Sequence, residues 1–293
     1  MSLLCYMLES PDDKIPEENN PPTASENDPE ALPKGLRITK PALALAQEAR
    51  IDLRQFPLDR LITETMVRSA FAQNPPAVTF QPSERSLILF GGGGHGKSLI
   101  ELIRAGGVYD VVGILDDGMV KGDLVLDVPV LGGADHLAGL HRQGVVQAVN
   151  GVGGIGNLIS RLRVFELLYA EGFTTPTVIH PRALCEASSR IEPGVQVFAN
   201  AYIGSCALIG KGCIINTGAI ISHDCQIGDY SNISPGAILA GNVEIGENVL
   251  IGMGVTVNLN VKVGAGARIG NGATVKADVP SGSVVKAGSI WPG

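Results

Sequence analysis

Aliphatic side chains recur at every sixth position along the C-terminal third of the chain. Ile191, Val197, Ile203, Ile209, Ile215, Ile221, Ile227, Ile233, Leu239, Ile245, Ile251, Val257, Val263, Ile269 and Val275 follow one another without a miss. A period of six matches neither the 3.6 of an α-helix nor the 2.0 of a plain strand, so residues 191–286 form a repeat. A parallel β-helix with three short strands per coil accommodates it. Each aliphatic residue then points inward and stacks on the residue eighteen positions later. Glycine follows the aliphatic residue in IGKGCI, IGDYSN, IGENVL and IGNGAT, and glycine and asparagine are expected at corners that need φ > 0. About five coils at the ~4.8 Å spacing between strands give a prism on the order of 24 Å tall, with its core buried by stacking neighbours.

Upstream the pattern changes. LILF (87–90), VVGIL (111–115), VVQAV (145–149) and TPTVI (175–179) read as strands, and helices begin near Lys97, Ala134 and Asn157. The third helix has the clearest apolar face: Leu158, Ile159, Leu162, Phe165, Leu168 and Tyr169. Strand–helix alternation predicts a small parallel sheet with helices on its faces, so the fold class is α/β followed by β. Nearer the start, Leu43, Leu45, Ala46 and Ala49 predict a short helix from about Pro41. Leu61, Met66, Val67 and Phe71 predict a second, with Thr63 or Thr65 near its start. Residues 8 to about 34, rich in proline, acid and asparagine, cannot bury apolar area and predict a disordered tether. The expected organisation is a tether (1–35), a helical module (36–73), a linker (74–84), a sheet domain (85–180) and the β-helix (181–293).

A length of 293 residues suits two domains and a small module. The net charge of −7, without a concentrated basic stripe, argues against a nucleic-acid partner. Cys5, Cys185, Cys206, Cys213 and Cys225 are scattered, odd in number and free of any CxxC pair. That argues against a disulfide framework and fits a reducing cytoplasm. The start, MSLLCYMLESPDD, lacks the basic region of a signal peptide, and no stretch approaches the ~20 apolar residues of a membrane span.

His223, in ISHDCQ, is the single histidine inside the repeat. It follows the inward Ile221 by two places, and Gly241 lies one coil above it, eighteen residues on. A base beside a bare backbone N–H on a rigid wall suits acyl transfer. The base takes a proton from the acceptor, and the N–H steadies the developing oxyanion. Asp224 follows directly and can orient the imidazole. The alternative reading is a surface histidine in a turn. His95, His136, His141 and His180 lie outside the coils, so a three-histidine zinc site on the β-helix is rejected and no metal is expected.

The first strand runs into GGGGHGKS (91–98). Gly91, Gly93 and Gly96 fit G-x-G-x-x-G, while Gly91, Gly96, Lys97 and Ser98 fit G-x-x-x-x-G-K-[ST]. Either way, bare N–H groups gather at a helix N-terminus and favour a phosphate or carboxylate; a tight structural turn is the alternative. Asp116 ends the second strand twenty residues after Gly96, where a Rossmann-type fold places its recognition carboxylate. A P-loop enzyme needs a magnesium aspartate on another strand, for which Asp116 and Asp117 are a weak substitute. A sheet this small lacks the second mononucleotide half, which argues against a nicotinamide cofactor.

Together these residues resemble bacterial sugar acyltransferases of the sialic-acid O-acetyltransferase and nucleotide-amino-sugar N-acetyltransferase type. The resemblance covers about 85–286 and rests on the strand–GxGGHGK–helix opening, ILDD, VPVLGGADHL, GFTTPTVIHPRA and INTGAIISHDCQIGDYSNISPGAILAGNVEIG. It implies a Rossmann-like domain holding a nucleotide sugar, a left-handed β-helix forming a homotrimer, and acetyl-CoA in the groove between neighbouring β-helices. It implies His223 as general base with Asp224 as its acidic partner. Gly93, Gly94 and His95 would contact the nucleotide sugar, Asp116 and Asp117 would lie near its base, and Gly153 and Phe165 would line the same pocket. Gly241, Met253 and Asn271 would face acetyl-CoA. So would Asn232, which stands where many members carry a second histidine nine residues after the base. The chain ends VVKAGSIWPG, in place of the family's G-x-P-A-[KR] turn. The expected reaction is acetyl transfer to the amino group of a UDP- or dTDP-linked deoxy-amino sugar. Sugar O-acetylation and a non-catalytic trimeric scaffold are the alternatives. Residues 36–73 resemble the peripheral subunit-binding module of acyltransferase complexes in PALALAQEARIDL and RLITETMVRSAF, without its glycine-rich loop. A protein partner there is weighed against an ordinary helical hairpin.

Overall fold

The computed structural model describes residues 33–48, 51–73, 81–155 and 158–293. Almost all of the expected tether, Ala49, the Phe71 side chain and residues 74–80 of the expected linker lie outside the described residues.

The N-terminal unit repeats one device twice. A two-residue strand and a threonine lead into each helix: β1 (Arg37–Ile38) before α1 (Lys40–Glu48), and β2 (Leu61–Ile62) before α2 (Glu64–Gln73). The strands pair in parallel. The Thr39 carbonyl accepts from Leu43 N–H, and the Thr63 carbonyl from Val67 N–H, so each threonine stands at the helix entrance. Ala42, Ala46, Phe56, Ile62 and Val67 form the small core. Leu61, expected on the second helix, instead lies in β2 and is exposed.

The α/β region comprises β3 (Ser86–Phe90), α3 (Gly94–Gly106), β4 (Asp110–Leu115), β5 (Leu124–Val125), β6 (Val128–Gly132), α4 (Leu137–Arg142), β7 (Gln147–Asn150) and α5 (Leu158–Ala170). The sheet runs β5-β6-β4-β3-β7, with β5 antiparallel to β6 and the other pairs parallel. β3 is buried along its whole length, as the central strand of a two-sided sheet must be. β5 and β6 escape a reading by apolar runs because Pro129 interrupts the second; it sits toward the sheet edge, where a proline is tolerated. Helix α5 also departs from expectation. It buries Arg161, Val164, Phe165 and Leu168, an i, i+3, i+4, i+7 stripe that contains an arginine, while Ile159 and Tyr169 face solvent.

Of the strand expected at 175–179, Val178–Ile179 (β8) leaves this sheet. It pairs with Gln196–Val197 and becomes the first rung of a left-handed β-helix. Three parallel sheets build the prism. Face one carries β8, Gln196–Val197, Ile214–Ile215, Asn232–Ile233 and the strands above them. Face two carries Leu184–Cys185, Tyr202–Ile203, Ile220–Ile221, Ile238–Leu239 and upward. Face three starts at Arg190–Ile191. Partners lie 18 residues apart (190 to 208, 196 to 214, 202 to 220). The last coil is shorter: Arg268 pairs with Val284 and Thr274 with Ile290, 16 residues apart. Trp291 packs against the end of this core, and its indole N–H donates to the Asp278 carbonyl at 3.0 Å.

The core holds the expected aliphatic stack and a second inward set two places earlier, including Ala207, Cys213, Ala219, Cys225 and Ala237. Small side chains fit there, which explains the two buried thiols; burial pushes the Cys213 thiol up to about 12. The left-handed corner residue is the third after the aliphatic, as at Asn200, Asp224, Asn242 and Asn248. Glycine serves the same corner at Gly212, Gly218 and Gly236, as expected, whereas the glycine directly after the aliphatic has another cause. A Cβ on Gly204 would stand 2.8 Å from both Ser222 C and His223 N, the backbone of the next coil.

Candidate active site

His223 stands on the corner between faces two and three, immediately before the left-handed corner residue Asp224 (φ 60°). Asparagine and aspartate tolerate this backbone better than other side chains. Asp224 Oδ2 lies 2.7 Å from His223 Nδ1. A carboxylate can only accept, so Nδ1–H donates and Nε2 keeps its lone pair. One coil above, a Cβ on Gly241 would lie 2.6 Å from Nε2 and 2.5 Å from Cε1. The imidazole therefore leans on bare backbone, and any side chain at 241 would displace it. Asn242 N–H donates to the His223 carbonyl at 3.0 Å, fixing this corner, whereas Gly241 N–H donates to no backbone carbonyl among the described residues. The His223 side chain is 63% exposed and open to a reactant.

A second feature forms where the α/β region meets face one. The glycine-rich turn brings the chain from β3 into α3. Gly91 takes φ 105°, and a Cβ on Gly96 would overlap the Gly91 carbonyl, so both glycines serve the turn itself. Gly93 and Gly94 meet nothing within 4 Å; packing does not demand glycine at either place. Asp116 accepts from Gly92 N–H at 2.8 Å and from Gly118 N–H at 2.9 Å. Asp117 accepts from Ala134 N–H at 2.8 Å. The Gly92 amide of the turn thus faces a carboxylate of the second strand's end, which suits the Rossmann-like reading over a P-loop.

Gly94, His95, Gly153, Gly154, Asn216 and Asn232 are among the walls of a cavity of about 350 Å³. A buried polar network supports it. His95 Nε2 lies 2.8 Å from Gln196 Oε1, and Gln196 Nε2 donates to the Asn150 carbonyl at 2.8 Å. Asn150 holds the Arg161 carbonyl and Val152 N–H. Arg161, 1% exposed, donates to the carbonyls of Val152 and Gly212 at 2.6 and 2.9 Å and lies over the Phe165 ring. Loss of solvent pulls the guanidinium down to about 10 and His95 down to about 4, the cationic Arg161 adding to the latter.

Residues 86–168 match the PglD N-terminal domain, and 207–241, 224–259 and 242–277 match the bacterial transferase hexapeptide (six repeats). PerB from Caulobacter crescentus, solved with CoA and GDP-perosamine, is 34% identical over 70% of this chain and 95% of its own, with a TM-score of 0.65. The acetyltransferase domain of PglB from Neisseria gonorrhoeae FA1090, solved with acetyl coenzyme A, is 35% identical over 70% and 97%, with a TM-score of 0.63. The chain belongs to this family of sugar acetyltransferases. WeeI from Acinetobacter baumannii AYE is 25% identical over 68% of this chain and 94% of its own, with a TM-score of 0.59.

Of the residues expected to serve this family's chemistry, His223, Asp224 and Gly241 lie on one corner of the β-helix and Met253 and Asn271 on another. His223 and Gly241 share the corner between faces two and three. Thr217, Pro235, Met253 and Asn271 stack at 18-residue intervals on the corner between faces one and two, above the cavity. There Met253 is exposed, and its N–H donates to Asn271 Oδ1 at 2.9 Å. Asn232, expected to face the donor, lines the cavity under Gly154, half a coil from His223 of the same chain. Phe165, expected to line the sugar pocket, is sealed against Arg161, Tyr169 and Tyr230. The sequence reading missed Gln196, Asn216, Thr217 and Arg161. The first three occupy outward or corner places that the repeat leaves unconstrained. Between the two corners, face two exposes Leu184, Ile220, Ile238 and Ile290. No group of three or more His, Cys, Asp or Glu side chains able to hold a metal ion occurs among the described residues. No described helix is long and apolar enough to cross a membrane.

Proposed function

We propose that this protein transfers the acetyl group of acetyl-CoA to the amino group of a nucleotide-linked deoxy-amino sugar. The observation that carries the reading is the His223 imidazole held by Asp224 against the bare backbone of Gly241. The amine attacks the thioester carbonyl; a C–N bond forms, the C–S bond breaks, and the amine proton passes to His223 Nε2 and then to the departing CoA sulfur. The Gly241 N–H steadies the oxygen that carries charge in between. The cavity beside His95 takes the sugar, with its nucleotide along the glycine-rich turn, as the GDP-perosamine complex of PerB supports.

In one chain the base and the cavity occupy different corners, separated by the apolar face two. Packing face two against a neighbouring copy brings one copy's His223 corner toward the other's cavity. That argues for a homotrimer with acetyl-CoA between copies, flanked by Gly241 of one and Met253 and Asn271 of the next. The unpaired thiols suit a reducing cytoplasm, where acetyl-CoA is available.

The test is CoA release with UDP-, dTDP- and GDP-linked amino sugars and their hydroxyl counterparts. Turnover with an amino sugar, lost in His223→Ala, supports the reading. Turnover with hydroxyl sugars alone makes the enzyme an O-acetyltransferase, and an undiminished His223→Ala variant removes the base.

A further inference from the structure

We infer that Gln196 is a positioning residue: it fixes the His95 ring so that Nδ1 accepts a hydrogen bond from an N–H or O–H group of the acceptor sugar. This rests on the transferase reading above and gives a buried β-helix residue, behind the cavity wall, a part in holding the sugar.

The amide of Gln196 has a defined direction. Its Nε2 faces the Asn150 carbonyl at 2.8 Å, and a carbonyl can only accept, so Oε1 is the end turned to His95. Oε1 can also only accept. His95 Nε2, 2.8 Å away, therefore carries the hydrogen, and Nδ1 is left with a lone pair. Gln196 is 1% exposed and has no room for a second pose. The carbonyl it holds belongs to Asn150, whose own side chain binds Val152 N–H and the Arg161 carbonyl. Arg161 grips the Val152 carbonyl in turn. The loop bearing Gly153 and Gly154 is thus tied to the residue that sets the ring.

His95 Nδ1 has no hydrogen-bond partner among the described residues. It is also absent from the sealed unpaired side-chain atoms, which are Arg161 Nε, Asn232 Oδ1 and Asn248 Oδ1. His95 lines the cavity, and its ring tilts against Phe198 at 5.6 Å between centroids. Arg161 from α5 is the charged group acting on it; Gln196, Phe198, Asn216 and Asn232 of the β-helix and Gly153 and Gly154 of the loop carry no charge. A neutral ring with one free acceptor selects a donor. It favours an acceptor sugar presenting an N–H or O–H there over its deoxy analogue.

The test uses full-length protein with Gln196→Met, Gln196→Glu and His95→Asn. Histidine ¹³C NMR reads the tautomer without turnover: wild type is expected to show one ring as Nε2–H, unchanged between pH 8 and 6, and Gln196→Met to lose that signature. Gln196→Glu sets a carboxylate against the ring and should raise its titration midpoint by roughly one unit or more. In steady state, Gln196→Met is expected to raise KM for the acceptor about tenfold, the loss of one oriented hydrogen bond, and to leave KM for acetyl-CoA within about twofold. The acceptor effect should vanish when His95→Asn is already present. An Nδ1–H ring in wild type, an unchanged acceptor KM, or an equal effect in the His95→Asn background overturns the inference. A wild-type chain that releases CoA with no acceptor overturns the transferase reading instead, and the NMR result still decides the ring.

Discussion

One added methyl group at either of two glycines separates the catalytic corner from its scaffold. At Gly241 the new Cβ would stand 2.5 Å from His223 Cε1 and 2.6 Å from Nε2. The side chain it meets is exposed and can swing into solvent, so Gly241→Ala should lose at most about 0.5 kcal/mol of stability. The ring, however, leaves its pose. A displacement of about 1 Å lowers kcat roughly 100-fold, equivalent to about 2.7 kcal/mol of barrier. At Gly204 the same methyl would stand 2.8 Å from Ser222 C and His223 N and 3.1 Å from the Ile221 carbonyl. These are backbone atoms of the next coil and cannot swing aside, so Gly204→Ala should cost about 1–3 kcal/mol. At roughly 2–4 °C per kcal/mol, its Tm should fall by several degrees. Scanning fluorimetry reads the first quantity, and CoA release at saturating donor and acceptor reads the second. Wild-type kcat in Gly241→Ala would show that the imidazole does not work against that backbone. Equal Tm losses in the two variants would make the His223 contact structural.

Other outcomes follow from the buried network and the outer face. His95 titrates near 4 against an ordinary ~6.5, so below pH 6.5 the unfolded chain binds a proton that the folded chain refuses until about pH 4. Stability should therefore drop as the pH is lowered from about 6.5 to 4, by up to ~3 kcal/mol, and urea midpoints of His95→Asn should drop less steeply; parallel curves contradict this. Arg161→Met strands the Val152 and Gly212 carbonyls and should cost about 2–4 kcal/mol; a loss under about 0.5 kcal/mol would show that water replaces the guanidinium. Ile220→Asp with Ile238→Asp charges face two and should give an inactive monomer by light scattering; an intact trimer places the interface elsewhere.

The prism was legible because its determinant is local: each inward aliphatic stacks on its own copy one coil away. The same arithmetic set Gly241 beside His223. It also places Asn232. Nine residues is half a coil, so Asn232 leaves the corner of its own chain's His223 and emerges in the cavity. What the sequence concealed depends on how one domain seats on another. Gln196 and Asn216 occupy positions the repeat leaves free, and their burial or placement follows from the α/β region covering face one. Arg161 reads as a surface arginine by hydropathy, yet its helix turns it inward to hold two carbonyls. Val178–Ile179 has the composition of either sheet, and only its pairing with Gln196–Val197 decides between them.

The central claim is that base and cavity come from different copies. Gly94→Trp would fill the cavity from a position with nothing within 4 Å, leaving the backbone undisturbed. Mixing that chain with His223→Ala, each inactive alone, through unfolding and reassembly tests it directly. If sites span copies, random assembly should restore roughly a quarter of wild-type sites, because each then pairs an intact base with an intact cavity. No recovered acetyl transfer in a properly mixed oligomer would place the whole site within one chain and contradict the account.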